Sequence, residues 1–471
     1  MNVSLQQLQA WLGLPSADVG SAQVVVNGLY TDSRAVTPGS LFVALRGERF
    51  DAHDFLDQVL AQGVAAVVVE RAPAALTVPA LVVSDTRAAL GTIAQRWRQQ
   101  FTLPLIAVTG SNGKTTVKEM IAAILVAAFG VDKSLATRGN FNNEIGVPLT
   151  LLRLEAAHQA AVIELGMNHP GEIALLTALA EPTVALVNNA QREHQEFMAS
   201  VAAVAEENGN VIRGLRANGI AVFPADDPYT GLWRSYAAGK AGSISFGLTP
   251  DADVSASYSN AANGFGSDLT VTVASAAGPQ KFAVHLSAAG EHNVRNALAA
   301  IACSLAIGID IAAIKHGLES FAPVSGRLQR KLAQAAGCVG ALVIDDTYNA
   351  NPDSVRAAID VLAQAPADAP RLLVLGDMGE VGNEGREFHQ EIGAYALQKG
   401  VTRLFTLGQL AAAASAAFGP QAQHFNDIAA LLAALDVTMT PDTTVLIKGS
   451  RFMKMERAVQ HLAGTTSEGT H

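Results

Sequence analysis

A short glycine-containing segment constrains the fold of this chain more than any other feature. Residues 105–125 read LIAVTGSNGKTTVKEMIAAIL, an apolar strand that runs into a turn and then into an amphipathic helix. Gly110 and Gly113 allow backbone N–H groups to converge on an anion, and the helix N-terminus adds its positive dipole end. Lys114 is placed to neutralise phosphate charge, and the Thr115 hydroxyl stands where such loops contact Mg²⁺. The segment therefore predicts a loop that binds nucleotide phosphates.

The spacing of this segment is shorter than usual. It reads GxxGKT, whereas the common phosphate-binding loop reads GxxxxGK[ST]. Taken alone, the short pattern is a weak match, and a Gly-Lys turn at a helix start also serves as a plain connector. The strand before it and the helix after it favour phosphate binding.

Length and composition indicate a large globular enzyme. A chain of 471 residues is too long for one core, and ~100–200 residues per domain suggest about three domains. Hydrophobic residues make up 49% of the chain and charged residues 16%, which argues against a disordered or fibrous protein. The net charge of −10 argues against nucleic acid as a partner, because no basic face is available to neutralise a phosphate backbone.

The sequence carries no signal for secretion or membrane insertion. The N-terminus lacks a basic region followed by a long apolar one, and no apolar run approaches the ~18 residues that span a bilayer. Cys303 and Cys338 lie in apolar, core-like segments, so they predict neither a disulfide framework nor a cysteine metal site. We expect a cytoplasmic monomer without an integral membrane segment.

Breaks in the pattern divide the chain into three α/β domains. Pro104 ends a helical stretch just before the phosphate-loop strand, and residues 323–327 interrupt the pattern again. We predict a small N-terminal α/β domain at 1–102, a central mononucleotide-binding domain with a parallel sheet at 103–322, and a C-terminal doubly wound, Rossmann-like domain at 323–471.

The strands of the two larger domains show as short apolar runs that alternate with helical patterns, the rhythm of βαβ units. In the central domain, SISFGL, LTVTV and KFAVHLS are expected to form an antiparallel appendage before a helix that follows Glu291. The runs predicted as parallel strands are 105–109, 161–163 and 184–187 in the central domain, and 341–344, 372–375, 404–407 and 445–447 in the C-terminal domain.

Polar side chains follow the central strands, where open α/β sheets bind their ligands. Glu164 ends a buried-type strand beside the phosphate loop, and a carboxylate there suits Mg²⁺. His194 lies just beyond the next strand end and is a candidate metal ligand, although a histidine there is often a surface or capping residue. Asn140 and Asn142 belong to an amide-rich loop that can hold a polar substrate or form a plain turn.

Three polar loops follow apolar strands of the C-terminal domain. They read DDTYNANPDS at 345–354, GDMGE at 376–380 and KGSR at 448–451. All three fall on one edge of the predicted sheet, so they can face the nucleotide of the central domain. Any one of them can be a solvated loop, but three at one edge favour a second half of the site.

Together these motifs resemble the Mur ligase family, ATP-dependent enzymes that form amide bonds in peptidoglycan precursor synthesis. The resemblance covers nearly the whole chain. Its N-terminal part rests on TDSR at 31–34, PGSLFVA at 38–44 and DAHDF at 51–55, and its ATP-binding part on GSNGKTT, HNVRNA at 292–297 and Gly326-Arg327. ELGMNHPGEI at 164–173, YNANP at 348–352 and LGDMGE at 375–380 resemble the members that use D-alanyl-D-alanine. The chain lacks the Asp-Asn-Pro-Arg of the diaminopimelate-adding relative.

The resemblance implies a reaction. ATP would phosphorylate the terminal carboxylate of UDP-N-acetylmuramoyl-tripeptide, and the amine of D-alanyl-D-alanine would displace phosphate from the acyl phosphate. Such chemistry needs charge stabilisation more than a protein nucleophile. The third residue of the tripeptide, diaminopimelate or lysine, is left open.

The resemblance also implies roles for particular residues. Lys114, Glu164 and His194 would be catalytic. Of two Mg²⁺ ions, one would be held by Thr115 and Glu164 and the second by His194. The other residues expected to bind ATP are Gly110, Ser111, Asn112, Gly113, Thr116, Asn293, Asn296, Arg327 and Asp346. Ser33 and Arg34 would hold the uridine diphosphate, and the other expected substrate contacts are Asn140, Asn142, Tyr348 and Asn349.

One departure from the family concerns the second metal ion. Family members carry a lysine fourteen residues after the histidine, in an Ala-x-x-Lys-Gly-Glu pattern, and its carbamate supplies a carboxylate to that ion. This chain reads AEENGN at 205–210, so Asn208 stands at the lysine position and no carbamate can form. We hypothesise that Asn208, acting through water, or a neighbouring carboxylate such as Glu207 replaces that group.

Three rival interpretations stay open at this point. The related ligases that add glutamate to folates share the short loop but give no reason for the N-terminal motifs. A phosphotransferase would transfer the phosphoryl group to a small molecule and stop there. A catalytically silent homologue would explain the missing lysine.

Overall fold

The structure is a computed structural model that describes residues 1–15, 24–47, 50–73, 76–193, 195–261, 265–366 and 368–464. Its strands form a two-stranded sheet and three larger sheets of four, nine and six strands. Each larger sheet falls inside one of the three domains expected from the sequence. The α/β fold class is confirmed, and the domain limits stay predictions.

The N-terminal domain is built on a parallel sheet in the order β3-β4-β5-β6. Its middle strands are fully buried, as continuous apolar runs predict for a sheet that is covered on both faces. The elements are β1 (Val3–Ser4), α1 (Leu5–Leu12), β2 (Val25–Val26), β3 (Leu29–Tyr30), β4 (Leu41–Val43), α2 (Leu56–Ala61), β5 (Ala66–Val69), β6 (Ala80–Val82) and α3 (Thr86–Arg98).

The central domain holds a nine-stranded sheet in the order β15-β14-β13-β12-β11-β10-β7-β9-β8. Strands β7 to β12 pair in parallel, and helices cover both faces. The elements are β7 (Leu105–Thr109), α4 (Lys114–Phe129), β8 (Ser134–Ala136), α5 (Gly146–Leu151), β9 (Ala160–Glu164), α6 (Glu172–Ala180), β10 (Val184–Val187), α7 (Val201–Arg213), β11 (Ile220–Pro224), α8 (Thr230–Ala237), β12 (Gly242–Gly247), β13 (Val254–Asn260), β14 (Ser267–Val273), β15 (Gln280–Leu286), α9 (Glu291–Ala306) and α10 (Ile311–Ser320).

The antiparallel appendage differs from the sequence prediction in two strands. SISFGL lies in β12, which pairs in parallel with β11 and so belongs to the main sheet. The antiparallel part consists of β13, β14 and β15, and β13 was missed. Its residues VSASYSN alternate weakly between apolar and polar side chains and end in polar residues, a pattern that does not indicate a strand.

The C-terminal domain is doubly wound, as predicted. Its sheet has the order β16-β17-β21-β18-β19-β20, with only β16 antiparallel to its neighbour. Helices α11 to α13 pack on one face, and α14 and α15 pack on the other. The elements are β16 (Gln329–Leu332), β17 (Leu342–Asp346), α11 (Pro352–Leu362), β18 (Arg371–Gly376), α12 (Gly385–Gln398), β19 (Arg403–Leu407), α13 (Ala412–Phe418), β20 (Ala422–Phe425), α14 (Ile428–Thr438), β21 (Thr444–Lys448) and α15 (Glu456–Ala463).

The N-terminal and central domains share one hydrophobic core. Helices α1 and α3 contribute Leu8 and Ile93 to the same buried cluster as Ile163 of β9 and Val211 of α7. Both cysteines are buried, as expected. In the described parts of the chain, no helix combines the length and apolar character needed to cross a membrane.

Candidate active site

The phosphate loop joins β7 to α4 and requires glycine at two positions. Gly110 and Gly113 have φ angles of 135° and 81°, which favour glycine. A Cβ atom on Gly113 would lie 2.4 Å from Asn296 Oδ1 and 2.8 Å from Asn188 Nδ2. The loop is therefore packed against two amide side chains, which would have to move if residue 113 carried a side chain.

Lys114 turns back over the loop. Its Nζ donates to the carbonyl oxygens of Gly110 at 2.5 Å and Ser111 at 3.0 Å, and it forms an ion pair with Glu193 Oε1 at 2.7 Å. Both side chains of the ion pair are largely buried. The ammonium group thus lies at the mouth of the loop, where the phosphate of a nucleotide would approach the helix N-terminus.

Glu164 and Thr115 meet at the same helix start. Glu164 Oε1 accepts from Thr115 Oγ1 at 3.2 Å and from Asn142 Nδ2 at 2.9 Å. Glu164 is 2% exposed, and its second carboxylate oxygen, Oε2, is buried without a hydrogen-bond partner in the described structure. A buried carboxylate oxygen needs a compensating partner, so this atom fits a hard cation.

A cluster of amides lies beside the loop. Asn188 Nδ2 donates to Asn296 Oδ1 at 2.9 Å, and Asn296 Nδ2 donates to Asn293 Oδ1 at 3.2 Å. Asn293 in turn donates to the carbonyl oxygen of Ala289. Helix α9 therefore presents the two predicted asparagines to the site as one hydrogen-bonded chain.

Side chains of the C-terminal domain reach the helix start and the cavity beside it. Arg327 Nη2 donates to Thr115 Oγ1 at 3.0 Å, and its guanidinium stacks 4.1 Å from the ring centre of Tyr348. Lys448, at the end of β21, pairs with Asp346 Oδ2 at 2.6 Å and also donates to the carbonyl oxygen of Asn349. Two of the three predicted polar loops therefore reach the site.

The loop at 376–380 does not bring its carboxylate to the site. Asp377 accepts from the backbone N–H groups of Gln409 and Ala411 at 2.9 and 2.7 Å. Its side chain therefore caps the loop after β19, and Asp377 is absent from the lining of the cavity. The expectation that this loop faces the nucleotide is wrong for Asp377, because the carboxylate serves unpaired backbone groups of its own domain.

Arg192 ties the central domain to the C-terminal domain. Its guanidinium forms paired hydrogen bonds with Asp353 of α11 and with both oxygens of Glu391 of α12, at 2.6 to 3.2 Å. Arg356 adds a second cation on Glu391. Hydrogen bonds to Arg192 lower the pKa of Glu391. These four residues, the Arg192 cluster, hold the two domains together beside the phosphate loop.

A second inter-domain contact joins two amides. Asn351 Nδ2 donates to Asn112 Oδ1 at 2.8 Å, and Asn112 Nδ2 donates back to Asn351 Oδ1 at 3.4 Å. Asn351 also caps α11. One side chain therefore both starts a helix of the C-terminal domain and contacts the phosphate loop.

Asn208 lies behind the loop. Its Oδ1 accepts from the backbone N–H of Gly110 at 3.0 Å, and the residue is 1% exposed. The neighbouring carboxylate of Glu207 is also occupied, because it accepts from the backbone N–H of Ile173 and from Asn210 Nδ2. Neither residue lines the cavity between the domains.

His292 lines the cavity next to the amide cluster. Burial lowers the pKa of its imidazole to about 4. The side chain is therefore neutral at physiological pH.

All three domains line one cavity of about 1160 Å³. Arg87 of the N-terminal domain and Lys448 of the C-terminal domain both line it, together with residues of the central domain. The predicted site residues along its wall are Ser111, Asn112, Gly113, Lys114, Thr115, Thr116, Asn140, Asn142, Glu164, Asn293, Asn296, Arg327, Asp346, Tyr348 and Asn349.

Four predicted site residues are not among those that line the cavity. Gly110 is buried within the loop. Ser33 and Arg34 lie in the N-terminal domain away from this cavity, and Arg34 is an exposed partner of Asp32. His194 falls outside the described residues. The sequence pattern places Lys448 in one of the three polar loops, but it gives no signal for Arg192 and Glu193 beyond their position just after a predicted strand.

The fold and the cavity define a class of enzyme, a nucleotide-dependent enzyme with a phosphate loop whose site lies between domains. Comparison with known proteins narrows the class. The chain matches the catalytic domain of the Mur ligase family at 25–98, the Mur ligase middle domain at 108–304, and the glutamate ligase domain of Mur ligases at 326–451.

Curated relatives and solved structures agree with these matches. The chain is 41% identical to the UDP-N-acetylmuramoyl-tripeptide--D-alanyl-D-alanine ligase of Escherichia coli K12, over 98% of each chain. It is similar to a crystal structure of MurF from Acinetobacter baumannii, with a TM-score of 0.88 and 35% identity over 99% of each chain. A structure of MurF from Thermotoga maritima in complex with ADP matches with a TM-score of 0.80 and 26% identity over 93% of this chain and 97% of that one. The chain belongs to the Mur ligase family and is an ATP-dependent ligase.

Proposed function

We propose that this ligase joins the terminal carboxylate of UDP-N-acetylmuramoyl-tripeptide to the amine of D-alanyl-D-alanine, in peptidoglycan precursor synthesis. The observation that carries the proposal is the match over nearly the full chain to curated ligases of that name, at 40% identity or more for two of them. The cavity between the domains supports it, because a ligase must bring three substrates together.

The reaction proceeds in two steps. The terminal carboxylate attacks the γ-phosphorus of ATP, which forms an acyl phosphate and releases ADP. The amine of D-alanyl-D-alanine then attacks the acyl carbon, loses a proton and expels inorganic phosphate. Lys114 stabilises the γ-phosphoryl group during its transfer, since a preorganised cation is effective where charge is spread over phosphoryl oxygens.

Mg²⁺ belongs to this proposal as a cofactor. Glu164 and Thr115 would hold it, because the unpartnered oxygen of Glu164 and the hydroxyl of Thr115 supply the oxygen ligands that this ion prefers. When bound, the ion offsets negative charge on the nucleotide phosphates. His194 is proposed for a second ion on the family resemblance.

The nucleotide and the acceptor would be divided between the domains. Asn293 and Asn296 would lie by the adenine, and Arg327 and Asp346 would reach the nucleotide from the C-terminal side. Asn140 and Asn142 would hold the peptide near the phosphate loop, and the dipeptide would meet Tyr348 and Asn349. Ser33 and Arg34 would hold the uridine diphosphate from the N-terminal domain.

A phosphate-release assay tests the proposed function. ATP, D-alanyl-D-alanine and UDP-N-acetylmuramoyl-tripeptide are supplied together and then each is left out, with diaminopimelate or lysine as the third residue of the peptide. We expect release only when all three are present. Transfer of phosphate to a stable product without the dipeptide would instead identify a phosphotransferase, and activity with a folate and glutamate would identify the other ligase family. No release with all three substrates would indicate a silent homologue.

A further inference from the structure

The charge balance around Lys114 carries an inference beyond the proposed roles. Glu193 Oε1 lies 2.7 Å from Lys114 Nζ, and the Glu193 side chain is 11% exposed. Both residues line the cavity that is proposed to take the nucleotide. A carboxylate therefore stands beside the ammonium group that has to meet the γ-phosphate.

With Glu193 at this position, binding of the nucleotide phosphates without a cation is unfavourable. A phosphate that reaches Lys114 also comes close to Glu193, and like charges repel strongly where water is largely excluded. A divalent cation between the two anions removes the repulsion, and carboxylate and phosphate oxygens are the ligands that Mg²⁺ prefers. The buried, unpartnered oxygen of Glu164 in the same cavity independently indicates that cations bind here.

Neither of the two residues raised by the sequence, Asn208 and Glu207, lines the cavity, and both make hydrogen bonds elsewhere. Asn208 uses Oδ1 to hold the N–H of Gly110, and its other polar atom, Nδ2, is a donor that cannot ligate a cation. Glu207 uses both carboxylate oxygens within its own surroundings, at Ile173 and Asn210. Glu193 is the carboxylate that reaches the cavity beside Lys114.

We infer that Glu193 is a ligand of a divalent cation that binds together with the nucleotide, separate from the cation assigned to Glu164. The two carboxylates contact different side chains of the helix start, Lys114 and Thr115, so they face different parts of the phosphate chain. The inference rests on the proposed function, because it requires a nucleotide in this cavity. In this inference, Asn208 positions the phosphate loop through its hydrogen bond with the N–H of Gly110.

Metal binding can be counted without catalysis. Mn²⁺ is titrated into the full chain at a saturating concentration of the ATP analogue AMP-PNP, and unbound Mn²⁺ is measured by electron paramagnetic resonance. We expect two ions per wild-type complex and one per Glu193→Gln complex, or at least tenfold weaker binding of the second ion. Glu193→Asp should keep the second ion with reduced affinity. Bicarbonate should not change the wild-type count, because position 208 offers no lysine.

The matched control is Glu196→Gln, which removes the same charge from an exposed side chain three residues away. It should retain both ions, and melting curves verify that each variant is folded. A wild-type complex with a single ion, or a Glu193→Gln complex that binds two ions as tightly as the wild type, would overturn the inference. Tighter binding of AMP-PNP by Glu193→Gln with an unchanged ion count would also overturn it, because Glu193 would then only pair with Lys114 at the position where the phosphate binds. Failure of the wild type to bind AMP-PNP would instead contradict the proposed function.

Discussion

Lys114 is the side chain on which the proposed chemistry depends most directly. Its Nζ lies among two loop carbonyls and Glu193. Lys114→Met keeps the length of the side chain but removes the charge that would stabilise the transferred phosphoryl group. We expect phosphate release to fall by about 10²–10³-fold, the usual cost of losing one preorganised group at a developing charge. The rate is measured at saturating substrates.

The control for Lys114 is Lys133→Met, the same change at an exposed lysine beyond the end of α4. It should leave the rate within twofold of the wild type. A Lys114→Met variant with a wild-type rate would remove Lys114 from the proposed mechanism.

His292 predicts a dependence of stability on pH. Its pKa is about 4 in the folded state, against about 6.5 in an unfolded chain, so the unfolded state binds more protons between these values. The folded state with a neutral His292 is therefore fully stable above pH 6.5, and it loses free energy of unfolding as the pH falls toward 4. Relative to His292→Asn, the wild type should therefore lose about 2 kcal/mol of unfolding free energy between pH 7 and pH 5. Denaturant titrations at both values measure the difference.

His316 provides the comparison, because it is exposed. His316→Asn should follow the wild-type pH dependence. If His292→Asn also followed it, the imidazole of His292 would have an ordinary pKa.

For single residues, the sequence predicted which side chains are polar and follow a strand better than it predicted their hydrogen-bond partners. Glu164 and Thr115 meet as expected, because Glu164 ends β9, which pairs with β7, and β7 leads through the phosphate loop into the helix that carries Thr115. Asp377 follows a strand in the same way, yet its carboxylate turns to N–H groups more than thirty residues ahead. The hydrogen-bond partner of a polar side chain depends on the conformation of distant loops, and the residues next to it in the sequence do not specify that conformation.

Asn351 tests how one helix start supports the site. It caps α11 through Ser354, with Pro352 in the first turn, and also pairs with Asn112 of the phosphate loop. Asn351→Ala should cost about 1 kcal/mol for the cap and about 1 kcal/mol for the contact between domains. We also expect a several-fold higher KM for ATP, because the loop loses a neighbour. Denaturant titration and steady-state kinetics measure the two effects.

Asp427→Ala isolates the contribution of the cap. Asp427 caps α14 through the N–H of Ala430, at a helix on the other face of the sheet. This variant should lose about 1 kcal/mol of stability and keep the wild-type KM. Equal effects of the two variants on KM would show that the contact with Asn112 does not matter.

Buried apolar runs predicted most strands of the two larger sheets, because a parallel strand covered on both faces needs them. The direction of pairing was not predictable for β12, since a short apolar run suits a parallel or an antiparallel neighbour equally. Strands β8, β11 and β13 of the central sheet were not predicted, and neither were the edge strands β16 and β20 of the C-terminal sheet. Their sequences, QRKL and AQHF, mix polar and apolar residues because one edge of each strand has no neighbour in the sheet.

From the contacts in the Arg192 cluster we expect domain closure to depend on the side chain of Arg192. Arg192→Ala removes the charged hydrogen bonds to Asp353 and Glu391, which join the central and C-terminal domains. Hydrogen bonds to charged groups contribute about 1.5–3 kcal/mol each, so the closed arrangement should become less populated. We expect kcat/KM to fall on the order of tenfold, since about 1.4 kcal/mol corresponds to that factor.

Small-angle scattering measures the closure itself. The wild-type profile should contract when an ATP analogue and the UDP-tripeptide are added, because the C-terminal domain brings its polar edge to the phosphate loop. Arg192→Ala should contract less, whereas Arg234→Ala, at an exposed position of α8, should behave like the wild type. Identical profiles for Arg192→Ala and the wild type, with and without ligands, would contradict the role of the cluster.

The close fit of Gly113 has a consequence for inhibitors. Any side chain at this position would collide with Asn296 and Asn188 and would also be strained by the backbone angle. A compound whose affinity comes from contacts to the backbone at Gly113 therefore targets a position where a substitution would both strain the backbone and displace two amides of the site.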